Sequence, residues 1–243
     1  RRGRLGIRTC LCLRARSQHI NSGLKSTSNA GVRGRSLEVY HIMAHTEIYL
    51  ARHGETHWNR SGHYQGQLDS QLTTNGENQA RAIGRLVDKI RKEKGSMPFY
   101  CSPLGRCRQT ANLICETSEV DPRSIILDTR IQELHCGHWQ TWTRKEVKEK
   151  WPKEVLKFKN DAWNYEIPGG GENGPMLLTR AAAWLNDLPD NKPVLAVSHG
   201  MIGRFIRGLC RQLAPEEILS LEVPQGVIYH LKDGCETILK GPN

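Results

Sequence analysis

Two short apolar runs far apart in the chain finish in the same way. Ile48-Tyr49-Leu50-Ala51 leads into Arg52-His53-Gly54, and Val194-Leu195-Ala196-Val197 leads into Ser198-His199-Gly200. Runs of this length without polar alternation read as strands buried on both faces, the pattern of a parallel sheet covered by helices on each side. Such a sheet binds its ligands beyond the carboxyl ends of its strands. The repeated ending would therefore bring two imidazoles to one crevice. Gly54 and Gly200 remove a side chain at each strand exit, where a ligand or a helix N-terminus must approach closely.

The stretches between these runs fit the same plan. Thr74 with Glu77 three positions on reads as a capping box, and Ile83, Leu86, Val87 and Ile90 recur on one helical face until Gly95 ends the run. "PFYCSPLGR" reads as a second strand running into a loop, with a helix from Arg106 to Cys115. "SIILDTRIQEL" is a third strand candidate with Glu133 just beyond it, and "MIGRFIRGLCRQL" is a helix behind the last apolar run. Strands alternating with helices predict an α/β chain with a parallel-rich sheet.

The net charge of +10 suggests a polyanionic partner until it is located along the chain. Residues 1–42 hold nine Lys or Arg and one acid, Glu38, so the rest is nearly balanced. That weakens a nucleic-acid reading, and no aromatic-plus-basic recognition motif accompanies it. Residues 1–42, rich in Arg, Ser and Gly, are expected to be a disordered basic leader. They read either as an organellar transit peptide or as translated sequence upstream of a start at Met43; the second is the expectation, because a strand begins soon after Met43. No run of about twenty apolar residues occurs, so no membrane span is expected. Eight cysteines show no C-x-x-C pair, and a chain of 243 residues can bury its own core without disulfides. A reducing compartment follows, the cytoplasm, or an organelle if the leader is a transit peptide.

Three chemistries compete for the histidines. A metal site would need three or four converging ligands, and "HCGH" at His135–His138 with His53, His57 and His63 supplies raw material. Arg52 and Arg106 would oppose a dication there, so no metal is expected. A cysteine phosphatase needs five residues between nucleophile and arginine, whereas Cys101 and Arg106 are separated by four. A phosphoryl group fits: the planar forks of Arg52 and Arg106 match its oxygens, and two nearby guanidinium groups keep an imidazole neutral and nucleophilic. His53 would accept the phosphoryl group, Arg52, Arg106 and His199 would stabilise its equatorial charge, and water would release it. Glu133 would protonate the leaving alcohol, acting when a dianionic substrate is bound.

With "ARHGETHWN", "YQGQLDSQLTTNG", "SPLGRCRQTA", "ELHCGHW", "PGGGEN" and "VSHG" in this order, the chain resembles the histidine phosphatase superfamily, also called phosphoglycerate mutase-like. The resemblance spans Met43 to Leu231. It implies a three-layer α/β/α sandwich with a mostly parallel central sheet, His53 as the phosphorylated residue, Arg52, Arg106 and His199 around it, and Glu133 as proton donor. It also implies phosphate or neighbouring contacts at Asn59, Thr56 and Gln65, and a helix-start role for Asp69, Leu72, Thr73 and Gly76. Gln140-Thr141 departs from the Glu-Gly common among phosphatase members, which leaves the substrate class open.

The domain is expected to run from 43 to 243, with a small cap at about 143–170. A mutase must exclude water until a second hydroxyl arrives. This cap is modest, and Gln65 resembles the phosphatase branch. Hydrolysis of a small phosphorylated metabolite without cofactor is therefore expected over phosphoglycerate mutation primed by 2,3-bisphosphoglycerate, and over a catalytically inactive phosphate-ligand binding protein. A sugar phosphate, a phosphoglycerate, a nucleotide and a cobamide-precursor ribotide phosphate remain equivalent, and oligomeric state is open. In the cap, Trp151, Phe158 and Trp163 are expected to pack down, with Glu146–Lys150 or Glu149–Lys153 as surface pairs. "PGGGENG" is expected to link the cap to a helix starting near Pro175.

Overall fold

The computed structural model describes residues 46–241, and the expectations for residues 1–42 lie outside them. Among the described residues six strands form one sheet: β1 (Ile48–Arg52), β2 (Phe99–Cys101), β3 (Ile125–Leu127), β4 (Val194–Ser198), β5 (Val227–Lys232) and β6 (Cys235–Lys240), in the order β3-β2-β4-β1-β5-β6. The first four positions are parallel, and β5 and β6 are antiparallel. Asp233 and Gly234, both at positive φ (50° and 74°), make the tight turn between β5 and β6, a hairpin connection whose twist matches its strands.

Eight helices surround the sheet among the described residues: α1 (His57–Ser61), α2 (Thr74–Lys94), α3 (Gly105–Ser118), α4 (Arg144–Lys150), α5 (Pro152–Asn160), α6 (Gly174–Asn186), α7 (Gly200–Arg211) and α8 (Pro215–Ser220). The period-two alternation of a strand divides them into layers. Ile48 and Leu50 of β1 join Leu177, Trp184, Ile202 and Phe205 of α6 and α7 in one core. Tyr49 and Ala51 face the other way, onto Ile83 and Val87 of α2 and Ala111 and Ile114 of α3. The result is helix, sheet, helix, the three-layer arrangement expected. Each fully buried aliphatic or aromatic side chain contributes roughly 1.5–3 kcal/mol.

Local differences from the sequence reading have physical causes. The start of α2 is capped by Thr73, not Thr74: its hydroxyl accepts from Gly76 N at 3.0 Å, while Glu77 pairs with Arg81 one turn on. The third strand is only three residues long and lies at a sheet edge; Asp128 then caps a 3-10 turn over Thr129–Ile131. The segment 143–170 holds α4 and α5 over a separate cluster of Cys136, Trp139, Val147 and Ile167. Its aromatics pack down: Phe158 meets Trp139 edge-on, Trp151 meets Trp142, and Trp163 stacks on Phe205. Glu146 closes a capping box with Thr143 instead of pairing with Lys150, whose ammonium lies 4.2 Å over the Trp142 ring. Lys145, not Lys153, lies nearest Glu149, at 4.0 Å. The helix after the glycine run begins at Gly174 with Asn173 as its cap.

Candidate active site

The parallel pairing of β1 and β4 puts Arg52 beside Ser198, so the next residues, His53 and His199, leave the sheet together. His53 N donates to Ser198 O at 2.9 Å, and the two rings lie 5.2 Å apart at 62°. Arg106, in the first turn of α3, closes a triangle with them. Its Nε lies 3.3 Å from His53 Nε2 and 3.1 Å from His199 Nδ1. The other two nitrogens are held as well: Nη1 donates to Leu68 O and Asp69 Oδ1, and Nη2 to Gly66 O. Asp69 also accepts from the Gly105 and Arg106 amides, so the start of α3 and its arginine are held by one carboxylate. At 1% exposure Arg106 is a buried cation, stabilised there because each of its three nitrogens donates to an acceptor.

The imidazole tautomers follow from their partners. His53 Nδ1 lies 2.8 Å from Gly54 O, which can only accept, so Nδ1 carries the proton and Nε2 carries the lone pair. Burial, then the charges of Arg106 and Arg52, push His53 well below its usual value of 6.5. His199 moves in the same direction for the same leading reason, with Arg106 next. His199 Nδ1 accepts from Arg106, and Nε2 donates to Ser102 Oγ at 2.7 Å, at the exit of β2. The sequence points to the arginines alone as the source of neutrality; burial is the larger cause.

Arg52 Nη1 donates to Val223 O at 2.8 Å, while its buried Nε has no partner. Glu133 is brought to the site by the N-terminus of α7. Its carboxylate accepts from Leu134 N (3.0 Å), Met201 N (3.1 Å to each oxygen) and Ile202 N (3.2 Å), replacing the side-chain cap that His199 does not supply. Arg180 of α6 fastens the Glu133 segment from behind, donating to Gln132 O at 2.6 Å and Glu133 O at 3.1 Å.

The remaining expected contacts divide. Gln65 is buried with Oε1 unpartnered. Asn59 lies in α1, its side chain joined to Thr56 N and Gln225. Thr56 is completely buried and its hydroxyl caps α1 through Asn59 N at 3.0 Å, a structural duty. The space freed at Gly54 is filled by the Gly76 carbonyl at the start of α2, not left to a ligand. A side chain at Gly200 would begin in ordinary van der Waals contact with Arg52 Nε and Cζ, at 3.5 and 3.6 Å, so this position lies beside the guanidinium without being closed by it. Ser102, Arg180, Val223 and Gln225 escaped the sequence reading; apart from Ser102, placed at a strand exit, nothing local marks them. Among the described residues no group of three or more His, Cys, Asp or Glu is placed to hold a metal, and no helix is long and apolar enough to cross a membrane.

The chain is similar to several known proteins. The family model of the histidine phosphatase superfamily (branch 1) matches residues 48–236. A metal-independent phosphoserine phosphatase of Arabidopsis thaliana is 36% identical over 164 residues, covering 66% of this chain and 67% of that protein. A probable phosphoglycerate mutase of Erwinia tasmaniensis is 34% identical over 166 residues, covering 64% and 70%. Among solved structures, a mycobacterial glucosyl-3-phosphoglycerate phosphatase in complex with VO3 aligns with a TM-score of 0.62 at 26% identity, covering 76% of this chain and 90% of that one. Bacillus stearothermophilus YhfR aligns at 0.66 and 26%, covering 79% and 95%.

Proposed function

Since the chain belongs to the histidine phosphatase superfamily, we propose that it hydrolyses small phosphomonoesters through a phosphohistidine at His53, without a metal. The observation that carries the assignment of roles is the triangle of His53, Arg106 and His199, with His53 Nδ1 occupied by Gly54 O and its Nε2 lone pair turned to Arg106. A phosphoryl oxygen competes for the Arg106 Nε–H and so releases that lone pair. Nε2 then attacks phosphorus as the ester P–O bond breaks. Arg52, with its unpartnered Nε, Arg106 and neutral His199 face the charge that spreads over the equatorial oxygens.

Glu133 supplies the proton to the departing oxygen. In the second step the same carboxylate takes a proton from water, the water oxygen bonds to phosphorus, and the P–N bond breaks to restore His53. The buried thiols of Cys101, Cys107, Cys115 and Cys136 suit a reducing compartment, and the cytoplasm is the proposed one.

The relatives named as mutases favour a second reading, phosphoryl return to a second hydroxyl. One paired assay separates them. Wild type and His53→Ala are incubated with para-nitrophenyl phosphate plus a chelator, and with 3-phosphoglycerate with and without 2,3-bisphosphoglycerate. Phosphate release that survives the chelator and vanishes in His53→Ala supports the hydrolase; 2-phosphoglycerate formed only with the primer, without phosphate release, supports the mutase.

A further inference from the structure

The segment between α8 and β5 is bonded to residues of the pocket and its surroundings. Glu222 O accepts from Arg207 Nη1, Val223 O from Arg52 Nη1, and Pro224 O from the Tyr229 hydroxyl. Its last side chain, Gln225, reaches furthest: Nε2 donates both to His53 O at 3.0 Å and to Asn59 Oδ1 at 3.1 Å. One amide nitrogen therefore ties the backbone of the phosphoryl acceptor to the side chain of α1.

The chemistry of Asn59 gives this bridge a consequence. Its Oδ1 accepts from two donors, the Thr56 amide at 3.2 Å and Gln225 Nε2. Neither partner can accept at those atoms, so the amide has only one orientation that satisfies the network. Nδ2, with its two protons, takes part in neither of these bonds. Without Gln225 one of the two constraints disappears, and a flipped amide would turn an oxygen toward an anion. Gly226, at φ 73°, makes the turn that delivers Gln225, and a side chain there would press on Gln79, whose Oε1 accepts from Glu55 N.

We propose that Gln225 is a positioning residue for phosphoryl transfer, fixing the Asn59 amide with its donor face toward the phosphoryl oxygens; this rests on the phosphoryl pocket proposed above. The test is a double-mutant cycle of Gln225→Met and Asn59→Ala, reading kcat and KM with para-nitrophenyl phosphate, orthovanadate affinity by calorimetry, and Tm. Loss of one oriented donor to an anion is expected to lower kcat/KM and vanadate affinity by about 10- to 100-fold in Gln225→Met. In the Asn59→Ala background the same change should cost less than about twofold, because its target is gone. Gln225→Glu, which keeps the size but replaces the donor by an acceptor, should be worse than Met.

Additive losses, or a lower Tm with kcat/KM and vanadate affinity intact, would overturn the proposal and leave Gln225 as scaffold. A wild type that neither turns over nor binds vanadate would instead bring down the phosphoryl pocket itself, and this proposal with it.

Discussion

Glu133→Gln separates two duties that the structure assigns to one carboxylate. As a helix cap, Glu133 accepts four backbone N–H contacts from Leu134, Met201 and Ile202. Glutamine keeps one oxygen there but turns an NH2 group toward a donor, and it removes a negative charge from a helix N-terminus. Those losses are worth about 1 kcal/mol, read as a lower Tm. As the proposed acid, Glu133 matters in proportion to how badly the leaving group needs a proton. Nitrophenolate leaves without one near neutral pH, whereas the alkoxide of O-phosphoserine does not. The expected kcat/KM loss is therefore less than about tenfold for para-nitrophenyl phosphate and about 10²- to 10⁴-fold for the alkyl ester, the range of general acid catalysis. Because the variant also lacks the base for the second step, stopped-flow should show a burst of nitrophenol before a slow steady state. Equal losses on both substrates with no burst would refute the assignment and reduce Glu133 to a cap.

Three further outcomes follow from the geometry. Arg106→Lys keeps the charge but cannot serve Gly66 O, Leu68 O, Asp69 and both imidazoles at once; kcat/KM should fall about 10³-fold and Tm should drop, and retention within tenfold would show that charge alone suffices. Because folding depresses both buried imidazoles below 6.5, their neutral forms leave stability intact above that pH; as pH falls below 6.5 each subtracts about 1.4 kcal/mol per pH unit until its folded value is reached. Urea midpoints from pH 7 to 5 should drop, and a His53→Asn, His199→Asn double variant with an unchanged slope would contradict this. Glu47, at the opposite end of β1, is opposed by burial yet held down at about 2 by hydrogen bonds from Tyr49, His230 and Lys94. Its contribution, about 1–2 kcal/mol after solvent screening, is present above 4.5 and lost as pH falls toward 2; Glu47→Gln should lower Tm at pH 7 without changing kcat, and a changed kcat would mean the two ends of β1 are coupled.

The parts of this molecule legible in its sequence are those written in contiguous residues. The apolar runs ending in Arg52-His53-Gly54 and Ser198-His199-Gly200 carry both their burial and their destination, because adjacent parallel strands deliver their exit residues to one edge of the sheet. Asp233-Gly234 carries a hairpin signal as clear, and the β5 and β6 that flank it are strands beyond those expected from the sequence, placed at the antiparallel end of the sheet. Thr74 has the capping-box spacing to Glu77 in the sequence, yet the position of the Gly76 amide makes Thr73 the residue that caps α2. Gly54 reads as a point of close approach and is one, but the neighbour is α2. Arg180 and Gln225 are invisible for a different reason: they act on backbone carbonyls 47 and 172 residues away, and a carbonyl has no residue type to recognise.

The most direct measurement is a rapid-quench trap with a ³²P-labelled phosphomonoester, then digestion and mapping of the labelled peptide. The proposed mechanism predicts an acid-labile, alkali-stable phosphoramidate on the peptide containing His53, formed at a rate that supports turnover and absent in His53→Ala. Turnover with no label, or with label on the peptide of His199, Ser102 or Cys107, would contradict it.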